Sequence, residues 1–166
     1  MKFNLLVTAL AALIPLVVGA VWYNPKVLGN AWKKTNGFDT EYKSKTKMIV
    51  IILVSFVFNF FLAATLTMLV IHQFGFFSTL NGVPGLTEPG SEAFNFAKQF
   101  MSNYGDNYRT FKHGVLHGVL FAFFAALPII GTHALYESKG VKYIAIHVGY
   151  WVVSLALMGG VICQFA

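Results

Sequence analysis

Four stretches of this chain, residues 3–22, 48–74, 113–131 and 143–164, contain no Asp, Glu, Lys or Arg. Each is close to or beyond the ~20 apolar residues needed to cross the hydrocarbon core of a bilayer. In lipid a backbone must satisfy its own hydrogen bonds, and within one segment only a helix does so. The expected fold is therefore all-α: a polytopic membrane protein, a four-transmembrane-helix bundle in a single integral domain over residues 1–166. Charged residues make up 11% of the chain, against about 25% in a soluble domain, and they fall between the apolar runs. Pro15 predicts a kink in the first span. Lys2 and the small residues Val18-Gly19-Ala20 also fit a cleavable signal peptide.

The formal net charge is +6, which raises the question of a nucleic-acid partner. The distribution argues against one. Lys26, Lys33, Lys34, Lys43, Lys45 and Lys47 share one short loop, and no basic stripe is interleaved with stacking aromatics. Topology accounts for the lysines instead. The first and third loops, the latter with Lys139 and Lys142, oppose Lys2, Lys98, Arg109 and Lys112. The excess places the first and third loops in the cytoplasm and both termini outside. Trp22, Tyr23, Trp32, Tyr42, Tyr108, Tyr136 and Tyr143 lie near span ends, as interfacial anchors do.

Both longer loops carry helical signals. Asn24-Pro25 is an N-cap followed by Pro at the first helical position, and Val27, Leu28, Ala31 and Trp32 share one face. That predicts a short helix in the cytoplasmic interface, with an irregular loop as the alternative. The outer loop, residues 75–110, opens with a turn-rich stretch through Glu88-Pro89-Gly90. From Ser91, an N-cap, the residues Phe94, Ala97, Met101, Phe96 and Phe100 form a broad apolar face, predicting a second interfacial helix or a lid.

The histidines are the main chemical candidates. His113 and His117 are four apart and share a helix face, and the predicted topology brings His72 to the same end. Such a set can ligate a transition metal, bind haem or relay protons. It can equally be polar packing at a helix end, with no cofactor at all. The topology sends His133 and His147 to the other end. A single cysteine, Cys163, excludes an intrachain disulfide and reads as a packing residue. Gly114 and Gly118 form a small-xxx-small pair, for packing inside the bundle or for contact between copies. Asn59, mid-span, is expected to face protein and to bond across helices, whereas Thr65 and Thr67 are expected to bond to their own helix.

The segment Val21-Trp22-Tyr23-Asn24-Pro25-Lys26-Val27-Leu28-Gly29-Asn30-Ala31-Trp32 resembles the signature after the first helix in a bacterial membrane family, domain of unknown function 1761. That motif reads Trp-Tyr-Ser-Pro, then an aromatic or aliphatic residue, Gly and Trp. Here Asn24 replaces Ser, and Leu28 stands where Phe is common. Leu135-Tyr136-Glu137-Ser138, His147-Val148-Gly149-Tyr150 and Met158-Gly159-Gly160-Val161-Ile162 fit the same pattern. The resemblance implies a four-helix membrane protein and no established activity. Spans free of Asp, Glu, Lys and Arg lower the expectation of a pump, a proton-coupled transporter or an intramembrane hydrolase. The leading expectation is a non-enzymatic subunit or accessory module, as a homo-oligomer or in a membrane protein complex. Its contact or packing residues are Trp22, Tyr23, Pro25, Trp32, Asn59, Gly114, Gly118, Phe94 and Phe100. The alternatives are an oligomeric small-molecule carrier or channel and a histidine-based metal-binding protein.

Overall fold

A computed structural model of the chain describes residues 3–37 and 45–166, with the side chains of Lys45 and Thr46 left aside. Lys2, Tyr42 and Lys43 lie outside the described residues. Among the described residues all regular structure is helical, and four helices are long and apolar enough to cross a membrane: Leu5–Trp22, Lys47–Val70, Phe111–Tyr136 and Val141–Phe165.

The first apolar run is broken into α1 (Leu5–Ala11) and α2 (Ile14–Trp22). Pro15 has no N–H to give to Ala11, and its ring crowds that carbonyl, so the helix restarts at Ile14. The third run shows the same effect further along. α7 (Phe111–Phe121) passes through a wide π turn, Ala122–Ala126, into α8 (Leu127–Tyr136). Pro128 removes one donor there, and the Leu127 N–H reaches back to the Ala122 carbonyl instead. The helix outruns the predicted 113–131 at both ends. α9 (Val141–Phe165) slightly exceeds its predicted span.

The second run departs most from expectation. α4 spans Lys45–Val70 and stops short of Phe74; Ile71 and His72 turn the chain, and Gln73–Thr79 form a separate helix, α5. Gln73 explains the turn. Its side chain is buried, and its Nε2 donates to the carbonyls of Tyr104 and Asn107, both at 3.1 Å. A straight extension of α4 would carry this amide away from those acceptors.

Both loop helices form. After Asn24, whose Oδ1 caps the Lys26 N–H at 2.9 Å, a π turn over Pro25–Gly29 leads into α3 (Asn30–Asn36). Gly29 is required, because a Cβ there would overlap the Tyr23 and Asn24 carbonyls. In the other loop, Gly82, Gly85 and Gly90 adopt left-handed conformations in the turn-rich stretch. Ser91 then caps α6 (Glu92–Tyr104), its Oγ accepting from Phe94 N at 3.1 Å. α6 folds back on α5 through Phe100, which stacks on Phe76 at 3.8 Å.

α9 is the centre of the molecule. Leu155, Met158, Ile162 and Cys163 on it pack with Ala11, Ala63, Leu66, Val70 and Ala122 into one core. Its closest neighbour is α7. A Cβ on Gly114 would overlap the Gly159 carbonyl, and one on Gly118 would overlap that of Leu155. The small-residue pair thus serves packing within the chain. Away from α9 the helices present Leu6, Leu53, Phe58, Phe124 and Ile129 outward.

Gly118→Ala should destabilise the protein by about 1–3 kcal/mol, because the backbones of α7 and α9 must separate to admit the methyl group. Gly131→Ala, with open space at its Cβ, should be neutral or slightly stabilising. Thermal unfolding in detergent compares the two. Gln73→Leu removes both pins on the chain before α7, and should speed hydrogen exchange over residues 104–109 at least tenfold while α9 keeps its protection.

Candidate metal centre

His72 leaves α4 one residue past Ile71 and serves as the N-cap position of α5. His113 and His117 lie in the first two turns of α7, which Thr110 caps by accepting from His113 N at 3.3 Å. The short turn after α4 aims the His72 ring at that face. Its Nε2 lies 2.9 Å from His113 Nε2, and its ring centroid is 5.0 Å from His117. One ligand nitrogen from each ring falls within 4.8 Å of the others; His72 is exposed, and the other two are half-buried.

At 2.9 Å one ring donates and the other accepts, which two imidazolium rings cannot do. The same edge matches two nitrogens at right angles around a metal with bonds of about 2.0–2.1 Å; a tetrahedral site needs about 3.3 Å. Among the described residues no carboxylate or thiol joins the group. Three neutral nitrogen donors with an exposed flank suit zinc, copper, iron or nickel and leave room for a further ligand. No ion is needed for the rings to hold α5 to α7 by hydrogen bonding.

The surrounding support was not visible in the sequence. Tyr108 takes a left-handed backbone (φ 63°) that lays its ring 5.1 Å from His113 and 6.1 Å from His72. Its carbonyl accepts from Thr110 N at 2.9 Å and from Cys163 Sγ at 3.2 Å. Arg109 donates from Nε to the Cys163 carbonyl at 3.0 Å, and from its terminal nitrogen to Ala166 O. The entrance to α7 is thereby tied to the last turn of α9. Gln73 and Arg109 are single polar residues without a repeating partner, so no spacing marked them.

The other residues singled out lie elsewhere. Trp22 Nε1 donates to the Ile146 carbonyl at 3.0 Å. Tyr23 packs on Trp32 at 5.2 Å and on Tyr150 at 5.3 Å, and its hydroxyl is 3.4 Å from His147 Nδ1. Burial, with Tyr150 and Tyr143 beside it, raises the Tyr23 phenol above its ordinary pKa. Pro25 opens the π turn and accepts from Asn30 Nδ2 at 3.0 Å. His133 sits 3.6 Å from Glu137, at the opposite end of α7–α8 from the three histidines. Phe94 and Phe100 belong to α6, and Phe100 is engaged by Phe76. Thr65 and Thr67 donate to the Phe61 and Ala63 carbonyls, as expected. Asn59 is buried as expected, yet makes no hydrogen bond to a described residue; it lines a cleft together with Ser55.

No curated protein and no solved structure matches the chain. A family model does, over residues 6–163, which is nearly the whole chain and takes in the Trp22–Trp32 segment and all three histidines. By that match, the chain belongs to the family described as Protein of unknown function (DUF1761).

Proposed function

We propose that this protein is a non-enzymatic module of the bacterial cytoplasmic membrane that spans the bilayer four times and binds a transition-metal ion at its outer end through His72, His113 and His117. The observation that carries the metal reading is the convergence of three imidazole nitrogens, from the end of α4 and the start of α7, within 4.8 Å. The spanning reading draws on the four long apolar helices and their outward Leu, Ile and Phe side chains. Orientation draws on charge. Lys139 Nζ reaches the Asn36 carbonyl at 3.4 Å, joining the first and third loops at the lysine-rich end. Asn4 Nδ2 reaches the Phe165 carbonyl at 3.4 Å, which puts both ends of the bundle's chain on the histidine side. The positive end then faces the cytoplasm, and the histidines face out.

The carrier reading has less behind it. Thr65 and Thr67 are engaged by their own helix, and Leu66, Leu155, Met158 and Ile162 fill the middle. Partner docking through the Phe-rich loop, in a complex or homo-oligomer, keeps Phe96 as its exposed residue, since Phe100 is stacked inside the chain.

Dialysed protein in mild detergent should retain or take up one zinc or copper ion per chain by elemental analysis. At a metal concentration 100-fold above Kd the ion should stabilise the fold by about 2.7 kcal/mol. His117→Ala should abolish both effects, and His133→Ala neither. Affinity should fall as pH drops through the imidazole range, because a ligating nitrogen must be unprotonated. No stoichiometric metal in wild type, or equal uptake by His117→Ala, overturns the reading. For orientation, a membrane-impermeant maleimide applied to intact cells should label Lys98→Cys and spare Lys34→Cys, with buried Cys163 as a silent background. Labelling of Lys34→Cys alone would reverse the topology.

A further inference from the structure

A cleft of about 610 Å³ opens between α2, α4 and α9, on the lysine-loop side of the bundle and away from the histidines. Its walls are the Gly19–Ala20 side of α2, the Ile51 and Phe58 side of α4, and Trp151 of α9. It exists because the first half of α4 stands off the bundle: residues 47–54 are all exposed. Its volume suits a small-molecule ligand, and its mouth faces sideways, toward the bilayer on the membrane reading above.

Two polar side chains of α4 line this cleft. Ser55 and Asn59 are four residues apart and so share a helix face. Asn59 is 5% exposed, and neither side chain hydrogen-bonds to a described residue. Thr65 and Thr67, on the same helix, both bond back to their own carbonyls. The Asn59 amide has no partner among the described residues and is left facing the cleft, so the cleft offers a hydrogen-bonding group to a ligand. Among the described residues no charged side chain lines it, so an uncharged ligand suits it best.

We propose that this cleft binds a membrane-dissolved quinone, its ring lying among Phe58, Tyr150 and Trp151 and its carbonyl oxygens accepting from Asn59 and Ser55. Side chains at i and i+4 rise from Cβ atoms about 5–6 Å apart, which suits acceptors on opposite edges of one six-membered ring. Depth selects this ligand over a phospholipid. Asn59 lies about 21 Å along α4 from Lys45 and about 17 Å from Val70, at 1.5 Å per residue. The ester carbonyls of a lipid whose headgroup stays at the surface do not reach that level.

The test uses the full chain in lipid nanodiscs and a decyl-substituted benzoquinone, read by tryptophan fluorescence, since Trp151 and Trp32 line the cleft. Wild type should show saturable quenching at one site per chain. Asn59→Leu should weaken binding about tenfold or more, and Ser55→Ala severalfold, the worth of a hydrogen bond made in an apolar site. Both variants should keep or exceed the wild-type Tm without quinone, because neither side chain has a protein partner to lose. Phe96→Ala, in the distant loop, should bind as wild type does. Non-saturable quenching in wild type, or equal affinity in Asn59→Leu, overturns the proposal. So does a co-purifying phospholipid that quinone fails to displace, or a quinone-insensitive disulfide between copies of Phe58→Cys, which would assign the cleft to a lipid or to a second copy. None of these readouts involves the histidines, so metal binding and quinone binding stand or fall separately.

Discussion

The backbone contact between α7 and α9 is the constraint on which the rest of the structure depends. Gly114 and Gly118 admit the Gly159 and Leu155 carbonyls to distances that any Cβ would forbid. Close approach of this kind gains dispersion along two long apolar helices, and such contacts are how helices associate where no hydrophobic drive is available. It also fixes the rotation of α7 about its own axis. Each glycine is preceded in sequence by a histidine, about 100° away around the helix. With the glycines locked on α9, His113 and His117 have one direction left, toward the end of α4 and His72. The candidate metal centre is a geometric consequence of the packing seam.

The polar side chains near that end refine what the glycines set. Gln73 pins the Tyr104 and Asn107 carbonyls, Arg109 pins the last turn of α9, and Cys163 gives its thiol to the Tyr108 carbonyl. These bonds leave Tyr108 in a left-handed conformation that an unconstrained tyrosine avoids. The ring contacts of Tyr108 with His72 and His113 follow from that backbone. A long loop thus becomes one wall of the histidine cluster, and its order comes from a handful of side chain to carbonyl bonds.

The four long apolar helices were legible because length and the absence of charge mark them. The convergence of the three histidines was legible for a related reason: consecutive helices meet at their connection, and an i, i+4 pair shares a face. What failed to show was every break in helix geometry set by a tertiary partner. The end of α4 at Val70 depends on where Gln73 finds carbonyls thirty residues away, and no local pattern carries that information. The π turn before Pro128 follows from a proline in an apolar run, which removes one donor from the helix, but no local pattern shows its width. Asn59 shows the limit of pattern reasoning. Burial followed from its position in a span, whereas the missing partner is a property of the cleft.

The two ends of the bundle solve the problem of a polar group beside apolar helices in different ways. At the lysine-rich end, burial raises the Tyr23 phenol above its ordinary pKa, its hydroxyl lies 3.4 Å from His147 Nδ1, and aromatic neighbours close around it. The other nitrogen of that ring, Nε2, is buried and has no partner among the described residues. His147 is held by that contact and by packing on Tyr23 and Tyr143, and it belongs to no group of three metal-ligating side chains among the described residues. At the other end three rings meet near solvent, each able to turn a nitrogen toward a common point. The same residue type is structural in one place and a ligand candidate in the other. The difference is made by exposure and by how many rings the helix ends bring together, not by the residue itself.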